Sequence, residues 1–338
     1  ALAACGSTAE TPAATEAPAA EPETPAEEPA AEADPMEDLI AAAKAEGELT
    51  VYGSCEEEYL AAACQHFQEL YGIKVNYQRL SVWFGGTTDP YNVLAKENLL
   101  EPYAAQNASH LISDMYKDAE GKWYGIYKGI LGFMVNTDEL ERLGLEAPAD
   151  WADLLKPEYK DLIWLSNYNT AGTAKLVVNT MIQKYGHDEG IQYLVDLDKN
   201  IQVYTKSGSG PSKNVGIGEC VIGIGFLHDG ITQIVDNQYG NIALVIPSSG
   251  TSFEVGATAM FKGAKHPNAA KLWIEYQFLV IDNATQPSQA AEFGLDPDNV
   301  MEYDFEDAKN NTGTYVEEVM AALSKSGADT GADRFKTE

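Results

Sequence analysis

Residues 201–230, IQVYTKSGSGPSKNVGIGECVIGIGFLHDG, hold two apolar runs that each break off into a polar, glycine-rich end. The first, Ile201 to Tyr204, stops at Ser207-Gly208-Ser209-Gly210, with Pro211 placed to open a short helix. Proline suits the first helical position, and glycines let successive backbone N–H groups turn toward one point, so this run reads as an anion-accepting helix start. The second run, Val221 to Phe226, ends at His228-Asp229. Two strand ends bearing polar groups, with a helix between them, describe the carboxyl edge of a parallel sheet, where open α/β sheets bind ligands. Thr170-Ala171-Gly172-Thr173, between a strand at Leu162 to Leu165 and a helix to Tyr185, is a junction of the same kind.

Toward the N-terminus the pattern repeats. Met36 to Glu46 reads as a helix and Leu49 to Tyr52 as a strand ending at Gly53-Ser54; Glu56, Glu57 and Glu58 then suit the first turn of a helix to Tyr71. Ile73 to Arg79 and Val82 to Gly86 read as strands, the second followed by Thr87-Thr88-Asp89-Pro90 and a helix from Tyr91. A parallel crossover takes a dozen or more residues, yet only Leu80 and Ser81 separate these segments. The expected outcome is one continuous strand, a displaced and unpaired Ile73 to Arg79, or a break in the chain that the numbering hides.

Trp123 to Asn136 is long, apolar and β-rich, as a strand passing between lobes should be, and Thr137 is the expected N-cap of a helix to Gly144. Further helices fall near 191–198 and 231–239, with a strand at 242–246. The chain then returns through 247–254 into Val255 to Phe261 and ends in helices near 267–279 and 305–324. Two crossings imply a first lobe of residues 36–135 plus 251–338 and a second of 136–250.

At 338 residues the chain exceeds one compact core, and 45% hydrophobic residues are enough to fill two. A formal charge of −30 argues against nucleic acid or an anionic membrane surface as a partner. Leu2-Ala3-Ala4-Cys5 resembles a bacterial lipobox, which implies Cys5 as the lipidated residue, with the chain anchored at the cell surface or in the periplasm. Residues 6–35 are almost wholly Ala, Pro, Glu and Thr, a composition expected to stay disordered as a tether. Cys55 and Cys64, roughly 13 Å apart along one helix, cannot pair, and no Cys/His metal spacing occurs. Neither a metal nor a cofactor is expected. Cys55 at a helix start could serve an enzyme using a cleft thiol, but three glutamates follow it and no base can be assigned; a binding protein is the preferred reading.

LTVYGSCEEEYLAAACQHFQELYGIKVNYQRL, VWFGGTTDPYN, the TAGTA and SGSGP junctions, GECVIGIGFLHDG and FEVGATAMFKGAKHPNAAKLWIEY together resemble extracellular solute-binding proteins of ABC importers, in the group usually labelled iron(III)-type. The resemblance implies a two-lobed α/β periplasmic-binding-protein-like fold of the second topological type with two hinge crossings. It also implies a monomer that closes on a small solute and delivers it to permease subunits. Family members carry a crossover helix where this chain has only Leu80-Ser81. Ferric binders place tandem tyrosines at the position of Leu227-His228-Asp229. Organophosphate binders carry a histidine-aspartate pair there and a glutamate before the return strand, matching His228, Asp229 and Glu254. The preferred solute is therefore an organophosphate or phosphonate, with ferric iron or a ferric complex as the alternative and another small anion as a third. The candidate contacts are Ser54, Thr87, Thr170, Gly172, Thr173, Ser207, Ser209, Gly210, His228, Asp229 and Glu254. Trp83, before a glycine pair at a strand end, is a further residue to follow.

Overall fold

The computed structural model describes residues 34–53, 57–77, 81–111, 114–283, 292–331 and 333–336. Residues 1–33, Cys5 included, and Ser54 and Cys55 lie outside the described residues, whereas Asp34 and Pro35, expected to end the disordered tether, are the cap and first residue of a helix. Helix α1 (Pro35–Glu46) opens on Asp34, whose side chain accepts from Met36 N, and closes on Gly47 in the left-handed region. It leads into β1 (Glu48–Gly53), α2 (Glu57–Tyr71), β2 (Lys74–Tyr77), β3 (Val82–Phe84) and α3 (Thr88–Lys96). After two short 3₁₀ turns comes β4 (Tyr124–Asn136), then α4 (Thr137–Leu143), β5 (Ile163–Ser166), α5 (Gly172–Tyr185) and α6 (His187–Asp198). The opening stretch becomes β6 (Ile201–Thr205), α7 (Gly210–Val215), β7 (Ile222–Phe226) and α8 (Leu227–Val235). It is followed by β8 (Ile242–Val245), β9 (Phe253–Met260), α9 (Pro267–Asn283) and a C-terminal helix, Phe305–Ser326.

The strands pair in the order β2-β1-β3-β9-β4-β7-β5-β6, with β8 also on β4. One strand joins the two halves. Residues 124–130 of β4 pair with β9, while residues 131–136 pair with β7 and β8. Each half then has its own core. Val51, Phe67, Val82, Phe84, Trp273 and Phe278 belong to one, and Phe133, Trp151, Leu165, Val177, Leu194 and Ile222 to the other. The β5, β6 and β7 ladders are parallel, so their carboxyl ends share one edge.

The missing-crossover expectation is corrected here. Both β2 and β3 pair in parallel with β1, one on each side, and Val51 is level with both Tyr77 and Val82. Strands pair at about 4.8 Å, so Tyr77 and Val82 stand about 10 Å apart across β1. Five Cα steps reach up to about 17 Å. Because β3 starts at the level where β2 ends, no return along the sheet is needed, and the dozen-residue rule for full-length crossovers does not apply. Residues 78–80 of the link lie outside the described residues.

The C-terminal helix also departs from expectation. The sequence places residues 251–338 in the first lobe, yet Ala308, Val316, Val319, Leu323 and Phe335 sit in the second core. After the two β crossings the chain passes back a third time near Met301, whose amide bonds Thr251 O at 2.7 Å. The apolar positions of this helix recur every three or four residues, so it is amphipathic; α5 and α6 supply the face that covers it. Beyond it, Arg334 pairs with the buried Asp198 at 2.8 Å and Phe335 stacks on Tyr204. At the other crossing Asn136, not Thr137, caps α4: its side chain accepts from Glu139 N, while Thr137 Oγ1 donates to Asn241 O.

His187, at the start of α6, ties this docked helix down, with Nδ1 2.8 Å from Asp188 and Nε2 2.8 Å from Glu318. The hydrogen bonds to Asp188 and then Glu318 raise its pKa above the ordinary 6.5. A group whose folded pKa is raised stabilises fully below its unfolded pKa and loses that contribution as pH rises through the folded value. The wild-type advantage over His187→Gln in thermal midpoint is therefore expected at about pH 5.5 and absent by about pH 9. Because the ring is half exposed, it should stay below about 1 kcal/mol. Equal differences at both pH values would exclude the ionised contact.

Candidate functional site

The loops after β3, β5, β6 and β7 meet where the two halves face each other. Gly85 and Gly86 follow β3 with φ of 79° and 80°, the left-handed region that a side chain disfavours. This turn sends the Gly85 amide to Ala257 O at 2.8 Å and the Gly86 amide to the Tyr127 hydroxyl at 3.0 Å. Thr87 then caps α3 in extended backbone. Thr88 donates through its amide (3.1 Å) and its hydroxyl (2.8 Å) to Glu254 Oε1, which also takes Val255 N at 3.1 Å. A carboxylate at a helix N-terminus satisfies orphan donors and complements the dipole. Glu254 lies inside β9, not ahead of it, and one of its oxygens anchors α3.

From the other half, α5 presents its N-terminus to α3. A Cβ placed on Gly172 would lie 3.0 Å from Thr87 Cγ2, so these two expected residues touch across the cleft. Lys175 is the first amide of α5 to reach a carbonyl, Ala171 O at 3.3 Å. The amides of Gly172, Thr173 and Ala174 precede it, as the opening amides of any helix do. The neighbouring loop packs on Thr173, whose Oγ1 would collide with a Cβ on Gly208. Thr170 Oγ1 donates to Lys206 O at 2.7 Å and so ties the β5 and β6 loops together. Part of the Ser207–Gly210 donor set is consumed internally: Ser209 N bonds Ser207 Oγ at 3.3 Å, Gly210 N bonds Ser207 O at 3.2 Å, and the two serine hydroxyls lie 2.9 Å apart.

His228 and Asp229 occupy the first turn of α8, because that helix begins at Leu227, four residues earlier than the sequence pattern suggested. Asp229 is buried, and its Oδ1 lies 3.3 Å from His228 Nε2. The imidazole stacks on Phe226 and meets the Tyr127 ring edge-on, with centroids 5.3 and 5.4 Å away. Its Nδ1 is buried without a hydrogen-bond partner. A buried polar atom left unpaired is costly, so such an atom in a cleft points to a ligand that completes it.

Tyr127 escaped the sequence reading. It lies flat over Gly256, where a Cβ would collide with the ring, and it links the Gly86 turn to His228. The available signal was a tyrosine on the long crossing strand opposite a glycine of the returning one. Trp83 proves to be packing: it stacks on Tyr91 at 4.4 Å and on Phe261 at 6.3 Å. Cys64 and Cys220 are both buried. A cavity of about 970 Å3 includes Thr88, Trp123 and Glu254; its carboxylates, Glu302, Asp304, Glu306 and Asp307 among them, outnumber Lys117 and Lys309, so the wall disfavours an anion. Among the described residues no helix is long and apolar enough to cross a membrane.

A family model described as bacterial extracellular solute-binding protein matches residues 91–284. An uncharacterized protein of Haemophilus influenzae is 32% identical over 302 residues, which span 78% of this chain and 86% of that one. The phosphoglycerate transport regulatory protein PgtC of Salmonella typhimurium is 26% identical over 151 residues, 43% of this chain and 36% of its own length. Among solved structures, the periplasmic binding protein AfuA of Actinobacillus pleuropneumoniae, with fructose-6-phosphate bound, superposes with a TM-score of 0.70 at 28% identity, over 86% of this chain and 99% of that one.

Proposed function

The chain belongs to the family of bacterial extracellular solute-binding proteins, and we propose that the solute it captures is an organophosphate or phosphonate. One lobe is built on β1–β3, β9, α1, α2 and α9, the other on β5–β8, α4–α8 and the C-terminal helix, with β4 shared as a hinge. Closure on the solute presents it to the permease of an ABC importer. The chain acts as a monomer anchored through a lipid on Cys5.

The carrying observation is the contact of Thr87 with Gly172, which sets the N-termini of α3 and α5 face to face from opposite halves. Helix N-termini present the positive end of a dipole, and α5 adds the amides of Gly172 to Ala174, which suit a phosphate or phosphonate; at α3 the Thr88 amide is already held by Glu254, so that end contributes Thr87 and its dipole. In this reading the phosphate sits on the amides of Gly172 to Ala174, with Thr87, Thr170, Thr173 and the Ser207–Gly210 loop around it. His228 Nδ1 and Asp229 face the polyol or amine end, where an imidazole and a carboxylate both bond hydroxyls well. A ferric ion prefers several anionic oxygens, whereas the one phenol in this cluster, Tyr127, already accepts the Gly86 amide. AfuA, the relative with fructose-6-phosphate bound, supports the same choice.

Thermal unfolding in the presence of fructose-6-phosphate, phosphoglycerate, alkyl phosphonates and ferric citrate tests the assignment. A fitting phosphate ester at 100 times its Kd stabilises by about 2.7 kcal/mol and raises the midpoint by several degrees. A rise with ferric citrate alone would replace this reading with the ferric one.

A further inference from the structure

A second cavity, about 360 Å3, lies between α3, α5 and the C-terminal helix; three lysines, Lys96, Lys175 and Lys309, line it against one carboxylate, Glu317, together with Asn92 and Asn169. None of the residues assigned above to the solute lines it. In a chain with 52 carboxylates and 22 lysines and arginines, a lysine is far more readily matched with a carboxylate than left alone. Lys309 is matched, to Glu306 at 3.0 Å. Lys96 and Lys175 have no carboxylate partner among the described residues. Lys175 occupies the first turn of α5, one residue beyond the opening amides, where the helix dipole disfavours a cation. It also lines the same space as Lys96 on α3, so the two ammonium groups repel each other as the halves approach. An anion between them reverses both penalties.

We propose that this cavity is an oxyanion subsite that links closure of the two halves to the binding of a second acidic group. Lys96 and Lys175 supply the charge, and the carboxamides of Asn92 and Asn169 supply neutral donors. The occupant is a phosphate-like or sulfate-like group, carried either by a free inorganic oxyanion or by a solute whose first phosphate rests on the α5 amides. The subsite goes beyond the organophosphate reading, because a free oxyanion would fill it whatever the main cleft holds.

Calorimetric titration of inorganic phosphate and of sulfate into the full chain at low salt decides the matter, with Lys96→Gln/Lys175→Gln and His228→Ala run beside the wild type. Wild type and His228→Ala should bind alike, and the lysine variant at least tenfold more weakly. Equal binding by the lysine variant, loss in His228→Ala instead, or no binding of either ion by the wild type would overturn the subsite as a free-ion site. Titrations of fructose-6-phosphate and fructose-1,6-bisphosphate separate the two sources. If the solute's own second group is the occupant, the lysine variant weakens the bisphosphate at least tenfold more than the monophosphate. Equal losses on both sugars assign the cavity to the free ion, and no loss on any of the four probes ends the proposal altogether. Failure of the organophosphate reading looks different, as fructose-6-phosphate affinity indifferent to His228→Ala, and leaves the inorganic-ion result standing.

Discussion

Replacing Glu275 by alanine is expected to destabilise the protein by about 3–5 kcal/mol, at the upper end of single substitutions. Glu275 sits on α9 and is fully buried. Its carboxylate accepts from Tyr103 Oη at 2.6 Å, Gln106 N at 2.7 Å, and Asn107 N and Nδ2 at 3.1 and 2.9 Å. A buried negative charge persists only when donors surround it, and these four pin the 3₁₀ turn Gln106–His110 against α9. Burial, reinforced by the adjoining carboxylate, pushes the Tyr103 phenol well above its usual range, so it stays a donor at all ordinary pH values. Alanine leaves all four donors unpaired, each costing about 1–3 kcal/mol before water reaches the half-buried ones. Urea unfolding of Glu275→Ala and Glu275→Gln against wild type gives the check. Glutamine keeps one acceptor oxygen but turns an NH₂ toward a donor, so it should fall between the two. A loss under about 1 kcal/mol for alanine would mean that the turn is held by packing alone.

Asp229→Ala is expected to weaken the phosphate ester that performs best in thermal unfolding by roughly tenfold to a hundredfold, the equivalent of leaving one or two ligand hydroxyls unpaired. The expectation rests on a buried carboxylate in the first turn of α8, 3.3 Å from an imidazole whose other nitrogen lacks a partner. His228→Ala should lose a similar amount. The double variant should lose less than the sum, because adjacent groups that act together are not additive. Folding should be little affected, since a first-turn acid contributes only about 0.3–1 kcal/mol through the dipole. Calorimetry giving wild-type affinity for both single variants would remove the pair from the site. Coincident losses of affinity and of thermal stability would assign Asp229 to the scaffold.

Much of this molecule was readable from residues alone, because the deciding signals are local. Apolar runs of four to six residues ending in Gly, Ser, Thr or Asp mark strand-to-helix junctions wherever they occur. Those at Thr170–Thr173, Ser207–Gly210 and His228-Asp229 all lie on the shared edge where β5, β6 and β7 end. The reach of Trp123 to Asn136 across both halves follows from an apolar β run too long for one small sheet, and β4 is that strand.

Tertiary structure decided what depends on partners distant in sequence. The apolar stripe of the C-terminal helix is evident in its spacing, but periodicity shows that a face must be covered and not by what; α5 and α6 cover it. Local patterning marks where strands lie but not how they are offset, and the stagger of β2 and β3 along β1 is what spares the chain a crossover. Glu275 meets its donors across 168 to 172 residues, and Tyr127 reaches Gly86 across 41 and His228 across the hinge. No short-range pattern announces such contacts. They exist because two closely packed cores, once folded, bring together donors and acceptors that only the tertiary arrangement makes neighbours.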